Sequence, residues 1–186
     1  MAGNISYKLW YNTKFKRRLF YGKIERKLLA HFLNATPTKD NASYYRLGKD
    51  LEEYNVELSA ESETKKNILG EVSTVISSYE ATGSVEPYYA DKDDEIYTFL
   101  QDIIDNRKVL DDVKTDTVEV HLWEPVKNEI SEDSNVFAAY KETAVIEVTS
   151  YGGDTTGYQI PFTIHYQGDR IKGKFDISAK TFTPDV

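Results

Sequence analysis

The sequence predicts a mainly β fold of the α+β kind: an antiparallel β-sandwich or barrel flanked by one α-helix. Three observations predict it. Short runs of alternating apolar and polar residues fill the C-terminal half, turn residues separate those runs, and a single stretch repeats its apolar residues every three or four positions. With 186 residues, 40% of them hydrophobic, the chain holds one ordinary core. Residues 25–186 are expected to form one β domain, preceded by a basic N-terminal arm or extension at 1–24.

The first continuous apolar run, Lys27 to Leu33, reads as a strand or a short helix, the strand being preferred. Asn34 to Ser43 is rich in Thr, Asn and Asp and reads as a loop, after which Tyr44 to Leu47 is extended. Tyr54, Val56, Leu58 and Ala60 alternate with Asn55, Glu57, Ser59 and Glu61, the period of a strand with one buried face. Ser62 to Glu71 reads as a projecting polar loop, and Val72 to Tyr79 as the next strand.

A helix is expected from about Lys92 to Lys108. Ile96, Phe99, Leu100, Ile103 and Ile104 form its apolar stripe, Asp91 is placed at its cap, and Arg107 and Lys108 lie at the end that the helix dipole makes negative. Beyond it, Val118, Val120 and Leu122, then Ala144, Ile146 and Val148, and finally Tyr158, Ile160, Phe162, Ile164 and Tyr166 alternate with polar neighbours. Gly152-Gly153-Asp154 and Gly168-Asp169 are hairpin signals, and Pro161 puts its strand at an edge or a bulge. Ile171, Gly173, Phe175 and Ile177 complete the core.

Charge and composition exclude several functions. A net charge of −8 opposes the gripping of phosphate backbones, which takes clustered Lys and Arg. A basic stretch from Lys14 to Lys27 runs against that balance and reads as a solvated arm or one that docks on an acidic neighbour. The chain has no cysteine, which removes disulfides, thiol nucleophiles and cysteine zinc sites. No apolar run spans a bilayer and the first residues lack a signal-peptide core, so no membrane association is expected. His31, His121 and His165 are too far apart in sequence for a short metal-binding motif. Gly152 to Gly157 has the glycines of a phosphate loop without its Lys-Ser/Thr ending. No nucleophile, base and orienting residue come together, so no enzyme, cofactor or metal is expected. Fourteen tyrosines, with Tyr44-Tyr45 and Tyr88-Tyr89 in pairs, suit strands and subunit interfaces, or stacking on sugars.

Several strings are more specific: Asp50-Leu51-Glu52-Glu53-Tyr54, the run from Glu63 to Glu71, Val85-Glu86-Pro87-Tyr88-Tyr89-Ala90, and the run from Ser150 to Phe162. From about Arg26 onward the chain resembles the major tail proteins, or tail-tube subunits, of siphophages and prophages of Gram-positive bacteria. The resemblance implies a structural virion protein assembled in the bacterial host cytoplasm, with self-assembly into stacked hexameric rings that conduct DNA without binding it specifically. Implied partners are further copies, the tape-measure protein and the tail terminator. On that reading, Glu57, Glu119 and Glu147 are candidates for an acidic lumen lining. Glu63, Lys65, Lys66, Ile68, Leu69 and Glu71 are candidates for the loop that reaches the next ring. The alternatives are a carbohydrate-binding β-sandwich module or another tail or head component such as a tail terminator.

Overall fold

The computed structural model describes residues 22–37, 42–49, 51, 53–126 and 135–185. Most of the basic arm expected at 1–24 therefore lies outside the described residues. The strands are β1 (Leu29–Asn34), β2 (Tyr44–Leu47), β3 (Val56–Lys66), β4 (Val72–Val85), β5 (Lys114–Pro125), β6 (Val136–Val148), β7 (Gly152–Asp154), β8 (Gly157–Gln159), β9 (Phe162–Asp176) and β10 (Thr181–Pro184). The helix α1 (Glu95–Asn106) lies between β4 and β5, and 3-10 turns occupy Arg26–Leu28 and Leu110–Val113. Both readings of the first apolar run thus hold in part, a short turn leading into a strand.

Eight strands form one antiparallel sheet in the order β2-β1-β5-β6-β9-β4-β3, with β10 added to the free side of β9. The small hairpin β7-β8 stands beside it. The main sheet has two ends, β2 and β3, that do not pair with each other, so it is not closed into a barrel. It is nevertheless strongly curled. The rings of Phe32 on β1 and Phe175 on β9 lie 4.6 Å apart, although β5 and β6 separate those strands in the sheet.

Alternation along the strands divides the apolar residues between two clusters. Ala30, Phe32, Tyr44, Val118, Val120, Ala139 and Phe175 fill the concave side of the curl. Leu33, Val85, Ile146, Ile160, Phe162 and Ile164 face the other way and receive the apolar stripe of α1. That stripe is the predicted one, and all five of its residues are buried. The helix starts later than expected, because Asp94 rather than Asp91 caps it, accepting from the Ile96 N–H at 2.9 Å. Asp91 is engaged by Lys49 and by the Asp93 N–H. At the other end Arg107 is the cap in the left-handed conformation, so no basic residue falls within the last turn.

Two turn signals resolve differently. Gly152 to Gly157 does form a hairpin, β7-β8. Gly168, with φ of 73°, instead lies inside β9 opposite the irregular pairing between Lys141 and Thr143. One long strand passes through a bulge where two short ones were expected. Pro161 falls in the break between β8 and β9, where its lack of an N–H costs no ladder bond. Ile171, expected in the core, is about half exposed.

Candidate assembly surface

The strands β3 and β4 leave the body of the protein as a two-stranded ribbon. They pair with each other from Val56 and Gly83 out to Lys66 and Val72, whereas β4 touches β9 only through Thr82 to Val85. From Ala81 outward the ribbon has no third strand among the described residues, which makes an arm about 30 Å long at a strand rise of about 3.3 Å per residue. The strand expected to bury one face at Tyr54 to Glu61 buries only its root. Tyr54 is in the core, but every residue from Glu57 to Lys66 is exposed. The predicted loop at Ser62 to Glu71 is mostly strand. The turn itself is Asn67 to Glu71, held by the Asn67 side chain accepting from the Leu69 and Glu71 N–H groups at 3.0 Å each.

The pairing register sorts the arm into two unlike faces. Leu58 lies opposite Ala81, Ala60 opposite Tyr79, Ser62 opposite Ile76, Thr64 opposite Thr74 and Lys66 opposite Val72. This face is almost uncharged, and Leu58, Val72, Ile76 and Tyr79 are each half exposed or more. The reverse face carries Glu57, Ser59, Glu61, Glu63 and Lys65 on β3, with Ser73, Val75, Ser78, Glu80 and Thr82 on β4. It is acidic, four carboxylates against one lysine. The bulge at Glu61 and Ser62, where β4 carries the extra Ser77, brings Ile76 onto the face of Leu58 and Tyr79 and leaves Val75 on the acidic one. A two-stranded ribbon is marginal in water without a sheet or helix behind it. A contiguous exposed apolar face of this kind marks an interaction surface.

The candidate stacking residues all lie on the outer half of this arm. Glu63 and Lys65 form an ion pair at 3.0 Å, Lys66 ends β3, and Ile68 and Leu69 form the fully exposed tip. The three candidate lumen carboxylates are not brought together. Glu57 is exposed on the arm, Glu147 accepts from the His165 ring at 2.7 Å, and Glu119 lies in a cluster behind the arm's root. There Glu119 meets His121 at 2.9 Å and the Arg170 guanidinium. Burial opposes its ionisation, but His121 and Arg170 outweigh that cost and hold its pKa below the usual glutamate value. Arg170 also lies over the Tyr140 ring, and the His121 ring stacks on Trp123. Sequence reasoning placed Glu119 on a wet strand face but had no signal for Arg170, which reaches it from β9.

Beside that cluster the arm is anchored by aromatic hydroxyls. Tyr54 and Tyr166 share a hydrogen bond of 2.8 Å, and burial pushes the Tyr54 pKa up to about 12. The edge of the His31 ring meets Tyr54 at 4.8 Å. Desolvation lowers the His31 pKa to about 4 from 6.5; Glu119 opposes that shift, and Arg26, Arg170 and His121 reinforce it. Between those two values the unfolded chain takes up a proton that the folded one refuses, so stability falls as pH falls. From pH 6.5 to 4.5 the expected loss is about 2 kcal/mol. Urea unfolding at the two pH values measures it, and His31→Gln should flatten the slope; an equal slope in the variant contradicts this origin.

The paired tyrosines do not form a stacking platform, because Tyr44 and Tyr88 are core residues and Tyr45 is covered by the Lys180 ammonium at 4.6 Å. Among the described residues, no three His, Asp or Glu side chains gather to hold a metal ion.

No protein-family model and no curated protein matches the chain. Among solved structures it is similar to the sheath/tube terminator of an extracellular contractile injection system (PVC) in the extended state. That likeness has a TM-score of 0.49 and 11% identity, covering 82% of this chain and 98% of that one. A chain of the PVC sheath-tube complex gives 0.49 and 11%, over 86% and 95%. The anti-feeding prophage cap, a tube-terminating cap, gives 0.41 and 11%, over 89% and 99%. None of the three is described as a siphophage major tail protein.

Proposed function

We propose that this chain is a structural protein of a phage tail or tail-like particle, and that it closes into a ring with further copies of itself through the β3-β4 arm. The observation that carries the reading is the arm: a long ribbon, apolar on one face, acidic on the other, and unsupported beyond Ala81. Among the described residues of one subunit nothing holds it. Among them the open sheet also leaves edges at β2 and β3 without a further strand, and a head-to-tail contact between unlike surfaces generates a ring whenever its rotation closes.

Two places in a tail suit such a ring. As a terminator it ends the tube, because an arm consumed by its neighbour within one ring is not available to the next ring. As a tube subunit it repeats, with the exposed tip at Ile68 and Leu69 reaching the following ring, which is the role implied by the sequence strings shared with major tail proteins. Negative-stain electron microscopy of the purified full chain, with light scattering over a wide concentration range, separates them. Single rings support the terminator, and extended stacks support the tube subunit. Particles that remain single chains at every concentration contradict both.

A further inference from the structure

The arm has an open flank as well as an open face. β3 is the end strand of the sheet, and every second N–H along such a strand points away from its partner. Among the described residues no further strand takes up those groups between Val56 and Lys66. The acidic face beside that flank is short of cations. Glu63 pairs with Lys65, whereas Glu57, Glu61 and Glu80 form no ion pair among the described residues.

Residues 1–21, outside the described part, have the opposite character. They contain Lys8, Lys14, Lys16, Arg17 and Arg18 and neither Asp nor Glu. From Ile5 to Arg18 the residues alternate with the period of a strand. Ile5, Tyr7, Leu9, Tyr11 and Phe15 take the odd positions and Lys8, Lys14, Lys16 and Arg18 the even ones, with Trp10, Thr13 and Arg17 as exceptions. The described chain begins beside the root of the arm. Arg26 donates to the carbonyl oxygens of Leu29 and Tyr54 at 2.7 and 2.9 Å, and Tyr54 stands just before the start of β3 at Val56.

We infer that residues 8–18 add a third strand to the free edge of β3 in the same chain. The segment reaches the root at Arg26 as β3 leaves it at Val56, so the added strand runs antiparallel to β3. Residues 8–18 match the 11 residues of β3 in length, and residues 19–25 make the connection. A single period-two register then serves both faces. Lys8, Lys14, Lys16 and Arg18 come beside Glu57, Glu61 and Glu63, while Leu9, Tyr11 and Phe15 widen the apolar face at Leu58 and Ala60. Backbone bonds supply the affinity of such an added strand, and its alternating side chains select the face. The tether makes the contact intramolecular, so it forms at any protein concentration. A third strand is also what a two-stranded ribbon lacks for stability in water. The apolar face stays open to a neighbour, so the inference goes beyond the ring-forming reading and does not depend on it.

Two measurements on the full chain test it. The first is carbodiimide cross-linking, which joins a lysine to a carboxylate it touches, in an equal mixture of unlabelled and isotope-labelled chains. Links from Lys8, Lys14 or Lys16 to Glu57, Glu61 or Glu63 are expected, and only between peptides of the same isotope. The second is amide hydrogen exchange of wild type beside the chain carrying Tyr11→Pro and Lys14→Pro. One proline falls on each parity, so whichever edge meets β3 loses a donor. Exchange of the outward amides of β3 should speed up on the order of ten- to a hundredfold in the variant, while the buried helix amides from Phe99 to Ile104 keep their protection and show that the body is folded.

Cross-links of mixed isotope assign the edge of β3 to the segment of a second copy and overturn the inference. Absence of these links, or equal exchange of the β3 amides in the two chains, overturns it as well. None of these results reads the association of copies, so the ring reading stands or falls separately.

Discussion

Replacing the apolar stripe of the arm, Leu58→Thr, Ile76→Thr and Tyr79→Thr together, is expected to abolish self-assembly while leaving the folded single chain intact. Threonine keeps the preference for extended structure, so the ribbon still forms. All three side chains are half exposed or more, and their loss costs the isolated chain little. In an assembly that covers them, only the exposed half of each is newly buried, which contributes roughly 1 kcal/mol apiece. Since about 1.4 kcal/mol is a factor of ten in a dissociation constant, removing all three should weaken association by about two orders of magnitude. An unchanged melting transition alongside single-chain molar mass is the expected pair of results.

The opposite pattern is expected at Phe162. This residue is almost completely buried in the core beneath α1 and faces the Tyr88 ring at 5.8 Å between centroids. Its strand position pairs it with Val85 on one side and Val148 on the other, where the root of the arm joins the body. Phe162→Ala removes a ring's worth of transfer energy and leaves a cavity between two strands and a helix, for an expected loss of about 3–5 kcal/mol. That is a large share of a small domain's stability. Urea unfolding measures it, and a loss below about 1 kcal/mol contradicts the placement of Phe162 at the centre of this cluster. The two variants separate the surface that assembles from the core that folds.

The same contrast explains what the amino-acid sequence revealed. The apolar stripe of α1 was legible because period 3.6 is a property of the element alone, and the strands of the C-terminal half were legible for the same reason at period two. The start of α1 was displaced because Asp91, Asp93 and Asp94 are all competent caps. Tertiary contacts decide among them: Lys49 and the Asp93 N–H engage Asp91, and the Tyr88 hydroxyl donates to Asp94 at 2.7 Å. At Gly168-Asp169 a glycine with positive φ serves a bulge as well as a turn, and the partner strand β6 determines which.

The arm was legible as strand but not as arm. Alternation at Leu58 and Ala60 reports that one side is apolar. It does not report whether the body of the same chain covers that side. The outer segment from Ser62 to Lys66 was too polar to be distinguished from a loop, since a ribbon standing in solvent has no buried face to impose a pattern. The acidic candidates show a further limit. Glu57, Glu119 and Glu147 look equivalent along their strands, yet they end on the arm, against Arg170, and against His165. Side chains of β9, brought beside β5 and β6 by the fold, made that difference for the last two.

Light scattering of the wild-type chain beside the three-threonine variant, across the same concentration series, tests the central claim most directly. The wild type is predicted to rise to a discrete ring-sized mass while the variant stays at the mass of one folded chain. A variant that assembles as readily as the wild type would show that the arm's apolar face is not the surface that joins the copies.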